Sequence, residues 1–377
     1  MRLRRRRGLV CYWHGGNFVV HPHPGGDPLT MHPVAAEILS AFEEWTDPLE
    51  AAEELGHLSG ESLSGAVDQL HENGLLLAEG SAEAESDERF DRQWGTWAPE
   101  ASFFHYATQD VKYPDTEQPA NIVSGGESDS PFVLFTGYPE ADRILLPRPR
   151  CPELATPYDE VLYARRTRRD HTEEPVPLEV LSALLATVFA PVDYIDCGRC
   201  ALFRRTSPAG GARQELDAYV AIRNVTGVRP GTYHYNLREH SLELLSEGFT
   251  PEDATHFCAD QEWARGAAFL VVLSAVVDRL LSKYPTPRSY RVMLLDAGHL
   301  GQTFALTATA LGLGPAQTGA FHDSVVAERL GLDNIGSTPL YVLAAGYPAP
   351  EQTEAPPMAE VETFRRTDLG GVAVESS

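Results

Sequence analysis

"AAFLVVLSAVVDRLLSKYPTPRSYRVMLLDAGHLGQTFALTATALG", residues 267–312, decides the fold. Its first part, residues 267–277, is a continuous apolar run rich in valine. It is too short to cross a membrane, and it predicts a strand buried on both faces at the centre of a sheet. From Tyr290 to Leu311 there is no proline, and Gly312 stands just beyond; this predicts the longest helix of the chain. Between strand and helix stand Lys283 and Tyr284, in a chain with few lysines. The pair is either a solvated helix end or the place where a proton is moved.

Working outward, Pro177 to Ala190 is an amphipathic helix with Leu178, Leu181, Leu184, Leu185 and Val188 facing inward. "LDAYVAIRNV" reads as a strand, "GTYHYN" as its hairpin partner and "LELLSEG" as a third strand; residues 251–264 are helical. Asp323 caps "SVVAERL", Gly331 ends it, and "TPLYVLAAGY" is a last buried strand. Helices and strands thus alternate around one mixed sheet, an α+β sandwich over 161–350.

The N-terminal part is organised differently. Residues 8–30 read as two short strands with glycine turns. Three short helices come next, the second capped by Asp47-Pro48 and the third striped by Leu63, Ala66, Val67 and Leu70. Three helices and a β wing make a winged-helix-like module over 1–80. Its third helix carries Glu61, Asp68 and Glu72 and no Lys or Arg, so peptide or protein docking is expected rather than nucleic acid. Residues 81–160 are expected to be an acidic linker and irregular connector, and 351–377 a C-terminal tail.

Acidic residues outnumber basic ones 54 to 30 in 377 residues, a formal net charge of −24, which opposes general binding to phosphate backbones. No apolar run reaches the roughly 18–20 residues of a membrane span. "MRLRRRRGLVCYWHGG" resembles a signal peptide only in its basic residues and is expected to be the first strand of a cytoplasmic protein. The five cysteines are scattered, which suits a reducing compartment. Cys197 and Cys200 form a C-x-x-C without a second pair at zinc spacing, so no metal site is expected.

Three stretches are candidates for chemistry. "YARRTRRDHTEEPVP", 163–177, crowds Arg165, Arg166, Arg168 and Arg169 around Thr167, and guanidinium forks suit phosphate. "RRTSPAGGARQ", 204–214, is a loop whose Gly210 and Gly211 let backbone approach a flat ligand. "GAFHDSVVAERLGLD", 319–333, sets Gly319 and Ala320 between a strand and a helix.

In this order, with "PGTYHY", "KY" and "GHLGQ" between them, these motifs resemble the SagB/McbC-type branch of the FMN-dependent nitroreductase-like superfamily, the azoline dehydrogenases of peptide natural-product pathways. The resemblance covers about 160–347. It implies that Arg165, Arg166, Thr167 and Arg169 hold the FMN phosphate and ribityl chain, with Arg365 or Arg366 as further candidates. It implies that Ser207, Ala209, Gly210 and Gly211 lie along the isoalloxazine and that Gly319 and Ala320 approach its N5 side. It also implies a homodimer, seamed on the helix 290–311, and a precursor peptide and a cyclodehydratase as partners. His299 is either an interface histidine or a flavin hydrogen bonder.

The lysine–tyrosine pair occupies the place tied to catalysis in azoline-forming members. Aromatising a thiazoline or oxazoline removes a hydride and a proton, and the proton needs a base within hydrogen-bond reach. Lys283 or Tyr284 can serve. Oxygen is the expected electron acceptor. The alternatives are an NAD(P)H-dependent reductase of the same fold and a non-catalytic scaffold subunit.

Overall fold

The structure, a computed structural model, describes residues 1–58, 60–111, 133–148, 152–196 and 201–350. The Cys197-Cys200 pair, Cys151, Arg365, Arg366 and the tail 351–377 lie outside these residues. The chain divides into two compact units, Met1–Tyr113 and Pro114–Ser377.

In the first unit β1 (Leu3–Arg5) and the later β5 (Leu76–Ala78) pair antiparallel, and β2 (Leu9–His14), β3 (Asn17–Pro22) and β4 (Leu29–Met31) form a separate meander. Helices α1 (Val34–Ser40), α2 (Pro48–Glu54) and α3 (Gly60–Glu72) stand between the two. Asp47 and Glu50 close a reciprocal capping box on α2, with Pro48 as the first helical residue. Leu63, Val67 and Leu70 of α3 join Leu3, Ile38, Leu39 and Phe42 in one core, as their spacing predicts.

Residues 81–94 depart from the expected linker. They form α4 (Ala82–Trp94), capped by the Ser81 hydroxyl accepting from Ala84 N at 3.1 Å, and α5 (Pro99–Ala107) comes after it. The cause is not an apolar stripe, which the composition lacks. Buried Asp87 accepts from buried Arg4 at 2.9 Å and from the Arg7 amide at 3.1 Å. Phe90 also meets His23 edge-on, with ring centroids 5.5 Å apart.

The second unit is built on a seven-stranded sheet, ordered β13-β14-β12-β9-β10-β11-β6. After β6 (Arg143–Leu145) come α6 (Tyr158–Ala164), α7 (Leu178–Phe189) and a hairpin of β7 (Asp193–Asp196) and β8 (Ala201–Arg204). The chain then runs through β9 (Leu216–Ile222), β10 (Gly231–Asn236), β11 (Ser241–Glu247), α8 (Pro251–Phe257), β12 (Phe269–Val276), α9 (Val277–Leu281) and α10 (Ser289–Ala310). It ends in β13 (Gly314–Thr318), α11 (Asp323–Leu330) and β14 (Ser337–Gly346). Asp323 is the first residue of α11 rather than its cap, which is His322. The sheet, expected to be mixed, is antiparallel in each of its ladders, because β9, β10 and β11 succeed one another as hairpins and β14 runs against both β12 and β13.

Both faces of the sheet are covered. Val220, Val271 and Leu273 meet Leu184 and Val188 of α7 and Leu300 and Phe304 of α10. The alternate residues Tyr219, Leu270 and Val272 meet Phe257 of α8 and Val326 and Leu330 of α11. A strand sandwiched this way reads as the unbroken apolar run seen at 267–277. Among the described residues no helix is long and apolar enough to cross a membrane.

One buried ion pair fixes the course of the chain beyond β12. Arg279 of α9 donates to Asp217 of β9 from Nη1 at 2.6 Å and Nη2 at 3.1 Å, and its remaining donors reach Gln214 O, Val133 O and Thr136 Oγ1. Burial would raise the Asp217 carboxyl's pKa, but the guanidinium outweighs it and holds the acid below the usual carboxylate range. Because Asp217 is fully enclosed, Arg279→Met leaves an uncompensated buried charge. Its expected cost is about 3–5 kcal/mol, read as a lowered thermal midpoint, part of which returns in Arg279→Met/Asp217→Asn.

Candidate active site

The segment after α9 is a tight turn in which the amides of Lys283 and Tyr284 both donate to Leu280 O, at 3.1 and 2.9 Å. The Lys283 ammonium lies 5.1 Å from the Tyr284 ring centroid, within cation–π range. Both side chains converge on Gly211. A Cβ at that position would stand 2.7 Å from the Tyr284 hydroxyl and 2.9 Å from Lys283 Nζ, and Gly211 also has φ +61°. No other residue meets both demands without displacing the pair.

The rest of the loop is moored to α10. Gly210 N donates to Asp296 Oδ2 at 2.7 Å, and a Cβ on Gly210 would collide with Val292 at 2.4 Å. The Ser207 hydroxyl shares a 2.6 Å hydrogen bond with Thr303 Oγ1. Ala209 precedes the short helical turn Gly210–Ala212. His299, half exposed, lies 3.4 Å from Asp296 Oδ1 through Nδ1. The structure thus brings Lys283, Tyr284, Ser207, Ala209, Gly210, Gly211 and His299 together along the first half of α10.

Arg165, Arg166, Thr167 and Arg169 stand elsewhere in the unit, along β13. Arg168 N donates to Pro315 O at 2.8 Å, and Gly314 packs against the Arg168 side chain, where a Cβ would approach to 2.7 Å. Arg166 caps the end of α6, donating to Tyr163 O and Arg165 O at 2.8 Å. Among the described residues no carboxylate forms an ion pair with Arg165, Arg166 or Arg169. Gly319 and Ala320 lie past the other end of β13. Ala320 is held by Thr318 Oγ1 and Gln261 Nε2, and a Cβ on Gly319 would meet nothing within 4 Å. The link between the two groups is α10 itself, since Gln317 of β13 donates to Gly301 O.

Three residues at the site are not evident in the sequence. Asp296 is hidden inside an apolar helix, where the Asp296–His299 spacing is its only signal. Glu215 and Arg205 carry no periodic signal. Buried Glu215 hydrogen-bonds to Asp296, and burial followed by the Asp296 charge pushes its pKa up to about 7. Burial lowers Arg205 to about 10. Among the described residues Glu215 Oε1 and Arg205 Nη2 are buried without a partner, and both residues line a cavity of about 10 Å³ bounded also by Ala209 and Asp296. A space of that size holds about one water molecule.

Comparison with known proteins identifies the unit. Residues 162–347 match the nitroreductase family. They form a nitroreductase-family domain. The trifolitoxin-processing protein TfxB of Rhizobium leguminosarum bv. trifolii is 26% identical over 79% of this chain and 83% of its own. The microcin B17-processing protein McbC of Escherichia coli is 28% identical over 37% of this chain and 53% of its own. The E. coli microcin synthetase McbBCD complex, solved with truncated pro-MccB17 bound, aligns at 18% identity and TM-score 0.41 over 78% of this chain and 96% of that one. The nitroreductase domain here is therefore of the SagB/McbC type that the sequence resembles, in an oxidoreductase family.

The buried acid pair gives the domain a pH signature. A folded pKa raised above the unfolded value near 4.5 means the folded state binds the extra proton, so stability falls as pH rises from about 4.5 through about 7. Glu215→Gln is expected to flatten the fall in thermal midpoint across that window.

Proposed function

We propose that the nitroreductase domain is an FMN-dependent dehydrogenase that oxidises thiazoline or oxazoline rings to thiazoles or oxazoles on a ribosomally made precursor peptide. The observation that carries this is the convergence of Lys283 and Tyr284 on Gly211. An amine and a phenol lie together where the backbone at Gly211 has no room for a Cβ.

The residues present fit FMN, the cofactor of the nitroreductase family. Arg165, Arg166 and Arg169 offer guanidinium donors that no carboxylate among the described residues pairs, beside the Thr167 hydroxyl in a strongly acidic chain, and so suit a phosphate. Ser207, Ala209, Gly210 and Gly211 would lie along the isoalloxazine, Gly319 and Ala320 toward its N5 side, and His299 at its margin. FMN, when bound, supplies the acceptor for the ring's hydride, with oxygen as terminal oxidant. The chain's own work is to take the ring proton at Lys283 Nζ or Tyr284 Oη. Asp296 holds the Gly210 amide so that the loop keeps its place under the pair.

Support for a site shared by two chains lies on α10. Leu294 and Leu295 are 45% and 62% exposed, and a Cβ on Gly298 would meet nothing within 4 Å. A glycine inside a helix costs roughly 0.5–1 kcal/mol relative to alanine, and nothing among the described residues compensates it, which favours a close homodimer contact there. The names of TfxB and McbC favour a precursor peptide as substrate, and the enzyme that forms the azoline, a cyclodehydratase, is the partner this reaction requires. We take residues 1–80 as the docking module for one of these, and the cytoplasm as the place of action.

The FMN-loaded protein, given an azoline peptide in air, is expected to remove two hydrogens per ring, read by mass spectrometry. Lys283→Ala and Tyr284→Phe should retain FMN, and loss of the proton acceptor should slow oxidation by about 10²–10⁴. Parental rates in both variants would remove the pair from the mechanism. Rapid bleaching by NADPH under nitrogen, with the azoline untouched, would favour a reductase instead.

A further inference from the structure

On the face of the sheet covered by α8 and α11, two imidazoles and a carboxylate meet. His256 lies in the last turn of α8, Asp260 in the turn beyond it, and His322 immediately before α11. The Asp260 carboxylate sits between the rings, with Oδ1 3.2 Å from His256 Nδ1 and Oδ2 3.4 Å from His322 Nε2. All three donor atoms fall within 4.8 Å of one another.

The lengths are informative. A charge-assisted N–H···O⁻ bond closes to about 2.7–2.9 Å, and both contacts here are longer. Ligands bound at about 2.0–2.1 Å around a tetrahedral ion stand about 3.3–3.4 Å apart; each imidazole nitrogen already lies near that distance from one oxygen of the carboxylate, His256 from Oδ1 and His322 from Oδ2. The third edge joins the two rings, whose centroids are 4.9 Å apart, and it closes by rotation of exposed side chains.

The backbone beneath is already tied together. His322 N donates to Phe257 O and Asp260 N to Thr255 O, each at 3.0 Å. Gln261 Nε2 reaches Cys258 O at 2.8 Å and Ala320 O at 2.9 Å. The net charge of −24 also favours cations at the surface.

We propose that His256, Asp260 and His322 bind one divalent transition ion of the zinc class, with solvent completing its coordination shell. Two imidazole nitrogens and one carboxylate select zinc, cobalt or nickel over magnesium and calcium. The ion would staple the segment 318–322 to the end of α8. Gly319 and Ala320 lie in that segment, but the site stands whether or not they meet a flavin.

The test is equilibrium dialysis of the tag-free, full-length protein against zinc in the presence of excess magnesium. The expected result is saturable uptake of one ion per chain. It should weaken by at least about tenfold in His256→Ala/His322→Ala and in Asp260→Asn, with far-ultraviolet circular dichroism unchanged. Zinc should raise the thermal midpoint of the parent and not that of the double variant. Equal zinc affinity in parent and double variant, or no saturable uptake by the parent, overturns the proposal.

Discussion

A guanidinium enclosed in a sheet-and-helix core has to find its countercharge and its hydrogen bonds at once, and Arg279 does so on Asp217, Gln214, Thr136 and Val133. That demand sets the direction in which the chain leaves β12. The next turn is only as well placed as this anchor, and it presents Lys283 and Tyr284. The loop before β9 is held by the same strand, since Asp217 lies two residues beyond Glu215. The lysine–tyrosine pair and the glycine loop are thus positioned from one buried charge.

The loop is equally constrained from its other side. Gly210 is pinned to α10 through Asp296, and Gly211 has no space for a side chain beneath the pair. Asp296 could not make that bond from the surface of the helix. It is buried, and so is its neighbour Glu215, whose pKa burial and then the Asp296 charge push up to about 7. Rigidity at the loop and an unusual acid behind it are two results of one arrangement.

Much of this is legible in the sequence, for definite reasons. The run 267–277 has no polar residue but Ser274, so it has to be central. The uninterrupted 290–311 has to be a long helix. The Arg165–Arg169 head, Ser207 to Gly211, and Lys283-Tyr284 are visible because each breaks the local composition. The acid pair leaves no such trace, since Glu215 and Asp296 are far apart in sequence and each is ordinary among 54 acidic residues. Helix α4 is hidden for the opposite reason. Its composition is that of a solvated linker, and one buried pair, Arg4–Asp87, gives it a place. Strand direction is not legible, because a doubly covered strand has the same apolar pattern in parallel and antiparallel sheets.

The two ends of the nitroreductase domain meet. Thr172 N donates to Tyr347 O, Ala349 N to Asp170 O, and His171 Nε2 lies 2.9 Å from Gly314 O. Entry and exit of the polypeptide are therefore stitched side by side next to Arg165–Arg169. A fold closed in this way tolerates having its natural ends joined and new ones opened at a remote turn.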